Sequence, residues 1–231
     1  MDYRTMTVVK LGLIDYTRAY ELQLKVHRRV YEGKWGNVFL ILEHSPVITT
    51  GLSGNRENIN ASEDQLKSAG IQIRSCRRGG DVTYHGPGQI VGYPIFNLRY
   101  IGRNIRQYIT KLENANISLL KNEYAIEAGR NPEFPGVWIG DDKITAIGCR
   151  IKRGVSLHGF AFNVNTNLDH FETITPCGLV GKGVTSLRRE LGEPQDFEKN
   201  VELTIKYLAR TFGFDYSIIN TEEFLNDLEE E

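Results

Sequence analysis

The chain has 231 residues, 40% of them hydrophobic and 25% charged, with 28 basic against 29 acidic side chains and a net charge of −1. That balance excludes the basic footprint of a nucleic-acid binder, and no apolar run approaches the ~18 residues that cross a bilayer. The first residues lack a signal- or transit-peptide pattern, and the cysteines (76, 149, 177) are odd in number and far apart, so a cytoplasmic protein without disulfides, nucleic-acid partners or membrane contact is expected.

In chain order, "TVVKLGLI" (7–14) reads as a strand. Residues 15–32 follow a capping Asp15 and carry Ala19, Leu22, Val26 and Val30 at the spacing of an amphipathic helix. "NVFLILE" (37–43) suits a buried strand, and "HSPVITTG" turns into another. "SEDQLKSAG" is a short helix stopped by glycine, and "IQIRSC" (71–76) alternates like a strand. A long helix is predicted over about 104–122. "GVWIGDDKITAIGCRI" is a hairpin turning at Gly140-Asp141-Asp142, and "VSLHGFAFNVN" adds a third strand to that meander. A helix over 196–212 precedes a short acidic tail that reads as solvated. No repeat or long linker divides the chain. One α/β (or α+β) domain over 1–231, with a central mixed sheet flanked by helices, is expected.

Between the strands near 76 and the long helix lies "RRGGDVTYHGPGQIVGYPI" (77–95), dense in glycine, with Arg77 and Arg78 in front and His85 inside. Glycines let backbone approach a ligand and arginines can meet an anion; a tight, twisted turn region explains the same residues. "GLVGKGVTS" (178–186) fails as a phosphate loop, because Gly183 is followed by Val184 where lysine is required. The histidines (27, 44, 85, 158, 170) are scattered, without zinc spacing.

Two further features bear on chemistry. Ala146 and Gly148 share one face of a strand, as do Gly159 and Ala161 on the next. They leave space either for a slender apolar group or for close packing of the protein on itself. Cys177 sits between Pro176 and Gly178 in a segment with no helical period; a cysteine there is either a packing residue or a nucleophile. An ordinary thiol titrates near ~8.5, and lowering it by two units takes roughly 2.7 kcal/mol. One ammonium at ~4 Å supplies on the order of 4 kcal/mol at an effective dielectric of ~20, so a single lysine such as Lys143 suffices if the two meet.

Taken together, "RRGGDVTYHGPGQIVGYPI", "KITAIGCRI", "LHGFAFNVN" and "ITPCGL" resemble the bacterial octanoyltransferase, or lipoyl(octanoyl) transferase, family over nearly all of residues 10–215. The resemblance implies a lipoate/biotin-ligase-like fold. It implies transfer of an octanoyl or lipoyl group from acyl carrier protein to the target lysine of lipoyl domains, those of 2-oxoacid dehydrogenases and the glycine cleavage H protein. ATP and metal cofactors are not required in that family. Carried over by motif, Cys177 matches the acyl-accepting cysteine and Lys143 the lysine that activates it. Arg78, Gly79, Gly80, Asp81, Val82, Thr83, Tyr84 and His85 match one substrate-lining segment; Ala146, Ile147 and Gly148, and Gly159, Phe160 and Ala161, match the others. "HSPVITTG" departs from the family's H-P-P-V-Y-T-x-G, and Cys149 replaces a common aliphatic residue. The rival readings are an ATP-dependent lipoate or biotin-type ligase, a lipoyl-domain amidotransferase, and a non-catalytic binder of acylated carrier. Arg99, Arg103, Lys152 and Arg153 are candidates for a basic carrier-docking face.

Overall fold

A computed structural model describes residues 4–175 and 182–229. Its larger sheet contains β1 (Thr5–Ile14), β2 (Asn37–His44), β6 (Gln89–Ile95), β7 (Gly129–Arg130), β8 (Gly136–Ile139), β9 (Asp142–Lys152), β10 (Val155–Asn163), β11 (Gly183–Val184) and β12 (Asp215–Ile219). The strand order is β12-β1-β2-β6-β10-β9-β8-β7, with β11 paired to β9. The β1 pairs are parallel, as is β11 to β9, and the rest of the path is antiparallel. A smaller sheet, ordered β4-β3-β5, is formed by β3 (Val47–Thr50), β4 (Gln72–Ser75) and β5 (Val82–His85).

The helices are α1 (Tyr16–Tyr31), α2 (Glu63–Ser68), α3 (Ile105–Tyr124), α4 (Leu187–Leu191), α5 (Phe197–Phe212) and α6 (Thr221–Glu229). Asp15 caps α1, its carboxylate accepting from the backbone N–H of Thr17 and Arg18, which satisfies donors that a helix start leaves orphaned. Ala19, Leu22, Val26 and Val30 then bury against one face of the large sheet, beside Leu40, Tyr93 and Ala161. The other face carries α3 and α5, with Phe39, Phe160 and Phe162 facing Leu112, Leu119 and Leu208. A third cluster (Ile48, Leu66, Val82, Tyr84, Phe171, Ile174) lies under the small sheet.

Two regions differ from the sequence reading. The glycine-rich stretch is not one turn region: β5 and β6 run through it, joined by a turn at Gly86–Gly88. Glycine is required in β6 itself, where a Cβ on Gly92 would stand 2.4 Å from the Phe160 ring. The acidic tail is likewise structured, because β12 extends the sheet beside β1 and Phe224 of α6 packs on Trp35 at 5.6 Å between ring centroids.

Candidate active site

The β9 and β10 strands form the floor of a cavity of about 1270 Å³, roomier than a typical small-ligand site of about 300–1,000 Å³. The β9–β10 register sets Ala146 directly opposite Ala161 and Gly148 opposite Gly159, so the four small residues form two facing pairs. β5 and the loop before it cover this floor, and the segment from Asn165 to Thr175 and the start of α4 complete the walls.

Of the residues singled out by sequence, Lys143, Arg78, Gly79, Gly80, Asp81, Val82, Thr83, His85, Ala146, Ile147, Gly148, Gly159, Phe160 and Ala161 all line this one cavity. Tyr84 does not. As the strand alternates, its ring turns into the cluster beneath the small sheet, edge-on to Phe171, with its hydroxyl hydrogen-bonded to His170 Nδ1 at 2.7 Å. Cys177 lies outside the described residues. The residues on either side of its segment, Thr175 and Lys182, both line the cavity.

Those flanks are held by separate parts of the fold. The Thr175 N–H donates to the Asn58 carbonyl at 2.8 Å, and Asn60 hydrogen-bonds the Thr175 hydroxyl. On the far side, β11 pairs in parallel with Asp142 and Lys143, and the Thr185 N–H donates to the Lys143 carbonyl at 3.1 Å.

The glycines of the floor serve the protein's own packing. A Cβ at Gly159 would lie 2.1 Å from the Gly92 carbonyl oxygen and 2.6 Å from Pro94 Cδ, so β6 occupies that space. At Gly148 a Cβ would meet the Gly79 oxygen at 3.0 Å and Arg78 Cδ at 3.2 Å. Room over the floor is therefore left by the alanine pair. Of the two explanations for small residues, close packing accounts for the glycines.

Arg78 is 7% exposed and does not reach outward for an anion. Its guanidinium donates to the Thr49 carbonyl (2.7 Å), the Thr49 hydroxyl (2.9 and 3.1 Å) and the Gly79 carbonyl (3.1 Å). It is held by neutral oxygens, and its positive charge is felt by the groups around it.

His85 is fixed by a chain of hydrogen bonds. The Gln89 amide donates to the Tyr84 carbonyl and to Asn163 Oδ1, which turns its oxygen to accept from His85 Nδ1 at 2.8 Å. Burial, and then the neighbouring His44, push the His85 pKa well below the ordinary range, so the ring is neutral at pH 7 with its proton on Nδ1. His44, behind it, donates from Nδ1 to the Ile14 carbonyl and accepts from the Tyr93 hydroxyl at 2.7 Å; burial lowers its pKa to about 4.

Sequence reasoning passed over His158, Tyr16, Tyr93 and Trp138, all of which line the cavity. His158 has φ of 57° in mid-strand, a conformation rare outside glycine. Its N–H leaves the sheet to donate to Gln23 Oε1 of α1 at 2.9 Å, and Tyr20 stacks on its ring at 5.4 Å. Burial, assisted by Arg78 and Arg150, lowers its pKa to about 3. The one hint in sequence was a polar residue inside the apolar run "LHGFAF".

Trp138 lies opposite Lys143 across the β8–β9 hairpin. The Lys143 ammonium stands 4.7 Å from the indole centroid, an electrostatically favourable seat for a cation. Trp138 is itself fixed by donating from Nε1 to the Phe134 carbonyl at 3.1 Å.

The candidate carrier-docking residues fall elsewhere. Arg99, Arg103 and Arg153 surround a separate groove of about 560 Å³ with Leu98, Ile105 and Ile151. Ile151 is about 26 Å along β9 from Lys143 at ~3.3 Å per residue. Among the described residues no metal-holding group of His, Cys, Asp or Glu occurs, and no helix is long and apolar enough to cross a membrane.

Residues 15–209 match the family described as the lipoyl protein ligase A/B catalytic domain. An octanoyltransferase of Desulforamulus reducens is 50% identical over 221 residues, covering 96% of each chain. Another, from Caldicellulosiruptor saccharolyticus, is 46% identical over 226 residues, covering 97% of this chain and 94% of that one. Among solved structures, a bipartite lipoate protein ligase from Thermoplasma acidophilum shares the fold, with a TM-score of 0.74 at 18% identity over 96% of this chain and 89% of that one. The expected mixed α/β architecture of lipoate ligases is the one found.

Proposed function

The chain belongs to the octanoyltransferases of the lipoyl protein ligase A/B catalytic-domain family, and on that premise we propose how its residues carry the acyl group. It is an acyltransferase that moves an octanoyl group in protein lipoylation, with lipoyl-domain proteins as acceptors. The finer reading is that acyl carrier protein supplies the group as a thioester and that Cys177 bears it between donor and acceptor. The glycine cleavage H protein and the lipoyl domains of 2-oxoacid dehydrogenases are the acceptors we infer.

One observation supports this most: Lys143 and both flanks of the Cys177 segment line the same cavity, over a floor cleared by Ala146 and Ala161. The Lys143 ammonium favours the Cys177 thiolate. The thiolate adds to the thioester carbonyl and a new C–S bond forms. The carrier's sulfur departs and takes the proton from Lys143. The neutral lysine then accepts a proton from the incoming amine as that amine attacks the acyl-enzyme carbonyl. Departure of the Cys177 thiolate restores the ion pair. The thioester is already activated, so neither ATP nor a metal enters the scheme.

Intact mass after incubation with octanoyl-acyl carrier protein tests the reading. A single octanoyl adduct is expected on the wild type and none on Cys177→Ala, and free octanoate with ATP should leave the enzyme unmodified. Full turnover by Cys177→Ala, or adenylate formation from octanoate and ATP, would overturn it in favour of ligase chemistry.

A further inference from the structure

Lys182 was not singled out by the sequence and has no part in the mechanism above. It is the first described residue after the Cys177 segment, and its ammonium lies 5.8 Å from the Trp138 ring centroid. Lys143 stands 4.7 Å from the same ring. The two ammoniums are thus no more than about 10.5 Å apart, roughly one Debye length at 0.1 M salt. This closeness is built into the backbone. The Gly183 N–H donates to the Asp141 carbonyl at 3.2 Å and the Thr185 N–H to the Lys143 carbonyl at 3.1 Å, so Lys182 leads into a strand paired beside the one that carries Lys143. A Cβ at Gly183 would meet the Asp142 carboxylate at 2.0 Å, so a larger residue there would have to turn that side chain aside. The Asp141 carboxylate, on the hairpin turn, is ion-paired to Lys182.

We propose that Lys182 is a positioning residue for the transfer reaction, acting on Lys143 through the shared Trp138 seat, with Asp141 setting how much of its charge Lys143 feels. This rests on the reading of Lys143 and Cys177 given above. Other charged side chains at this corner are Asp142 beside Lys143 and, around the cavity, Asp81, Asp169, Glu172, Arg188 and Arg189. Of these cations and acids, the Lys182–Asp141 pair is the one tied to both the Lys143 strand and the Trp138 ring.

The consequences have signs. A second cation disfavours the protonated form of Lys143 and favours the thiolate of Cys177. Removing it in Lys182→Met therefore moves the basic limb of the acyl-transfer pH–rate profile upward, by roughly half a pH unit. Asp141→Asn leaves Lys182 uncompensated and moves the limb downward. Lys182→Arg keeps the charge and restores the wild-type profile. Both side chains are partly or largely solvent-exposed, so the variants should retain the wild-type melting temperature.

The experiment is single-turnover acylation and transfer across pH, using octanoyl-acyl carrier protein and a lipoyl domain, with the full chain. Opposite shifts in Lys182→Met and Asp141→Asn support the proposal. A uniform fall in rate with unshifted limbs, or shifts in the same direction, overturns it. Failure of the Cys177 reading is separately visible, as absence of any octanoyl adduct on the wild-type enzyme.

Discussion

Ala146 and Ala161 face each other across the β9–β10 ladder, and the space above their methyl groups opens into the cavity that Lys143 also borders. Width at this point is set by side chains one carbon long. Replacing Ala146 with leucine puts three more carbons over the floor without touching the ladder. Octanoyl-adduct formation should fall at least about tenfold, the loss that ~1.4 kcal/mol of overpacking produces. The thermal midpoint should stay near that of the wild type. Normal acylation by Ala146→Leu would show that the acyl chain lies elsewhere.

Gly159 predicts the opposite split. Its Cβ direction is filled by the Gly92 carbonyl, 2.1 Å away, and backbone of a central strand cannot step aside. Gly159→Ala should lose about 1–3 kcal/mol of stability, seen as a fall of several degrees in thermal midpoint at roughly 2–4 °C per kcal/mol. The damage is structural, so stability and expression should suffer first. A variant that melts at the wild-type temperature would refute the packing account.

Acid should unfold the protein through its buried histidines. The pKa values of His44 and His158 are lowered to about 4 and about 3 by burial, against ~6.5 in an unfolded chain. Between those values the unfolded state binds protons that the native state refuses, so stability is whole above about pH 6.5 and drains as pH falls toward 4 and 3. Each histidine contributes a slope of about 1.4 kcal/mol per pH unit in that window. Urea melts at pH 7, 6 and 5 should show midpoints moving steadily down; a flat series would mean that these rings are protonated in the native state.

Much of this was legible from residue order. The Asp15 cap, the α1 spacing and the Gly140-Asp141 turn depend on neighbours within a few positions, and the structure has them where local rules put them. The shared face of the small residues also followed from strand alternation. Other features depend on residues that only the fold brings together. Whether Gly148 and Gly159 make room for a ligand or for the protein depends on Arg78 and Gly92, residues tens of positions away. The strands within 77–95 were hidden because glycine has low strand preference, and their pairing partners, β2, β3 and β10, lie far off in the chain. His158 and Trp138 carried no signal beyond their own identity, since their roles come from Gln23 and Lys143 across the fold.

The facing alanine and glycine pairs divide one floor between two masters. Positions 148 and 159 answer to the polypeptide, whose own carbonyls and arginine stem lie where the missing methyls would be. In the proposed acyl site, positions 146 and 161, whose methyl groups border the cavity, answer to the guest. On that reading, a redesign of acyl preference has two adjustable sites on this surface rather than four.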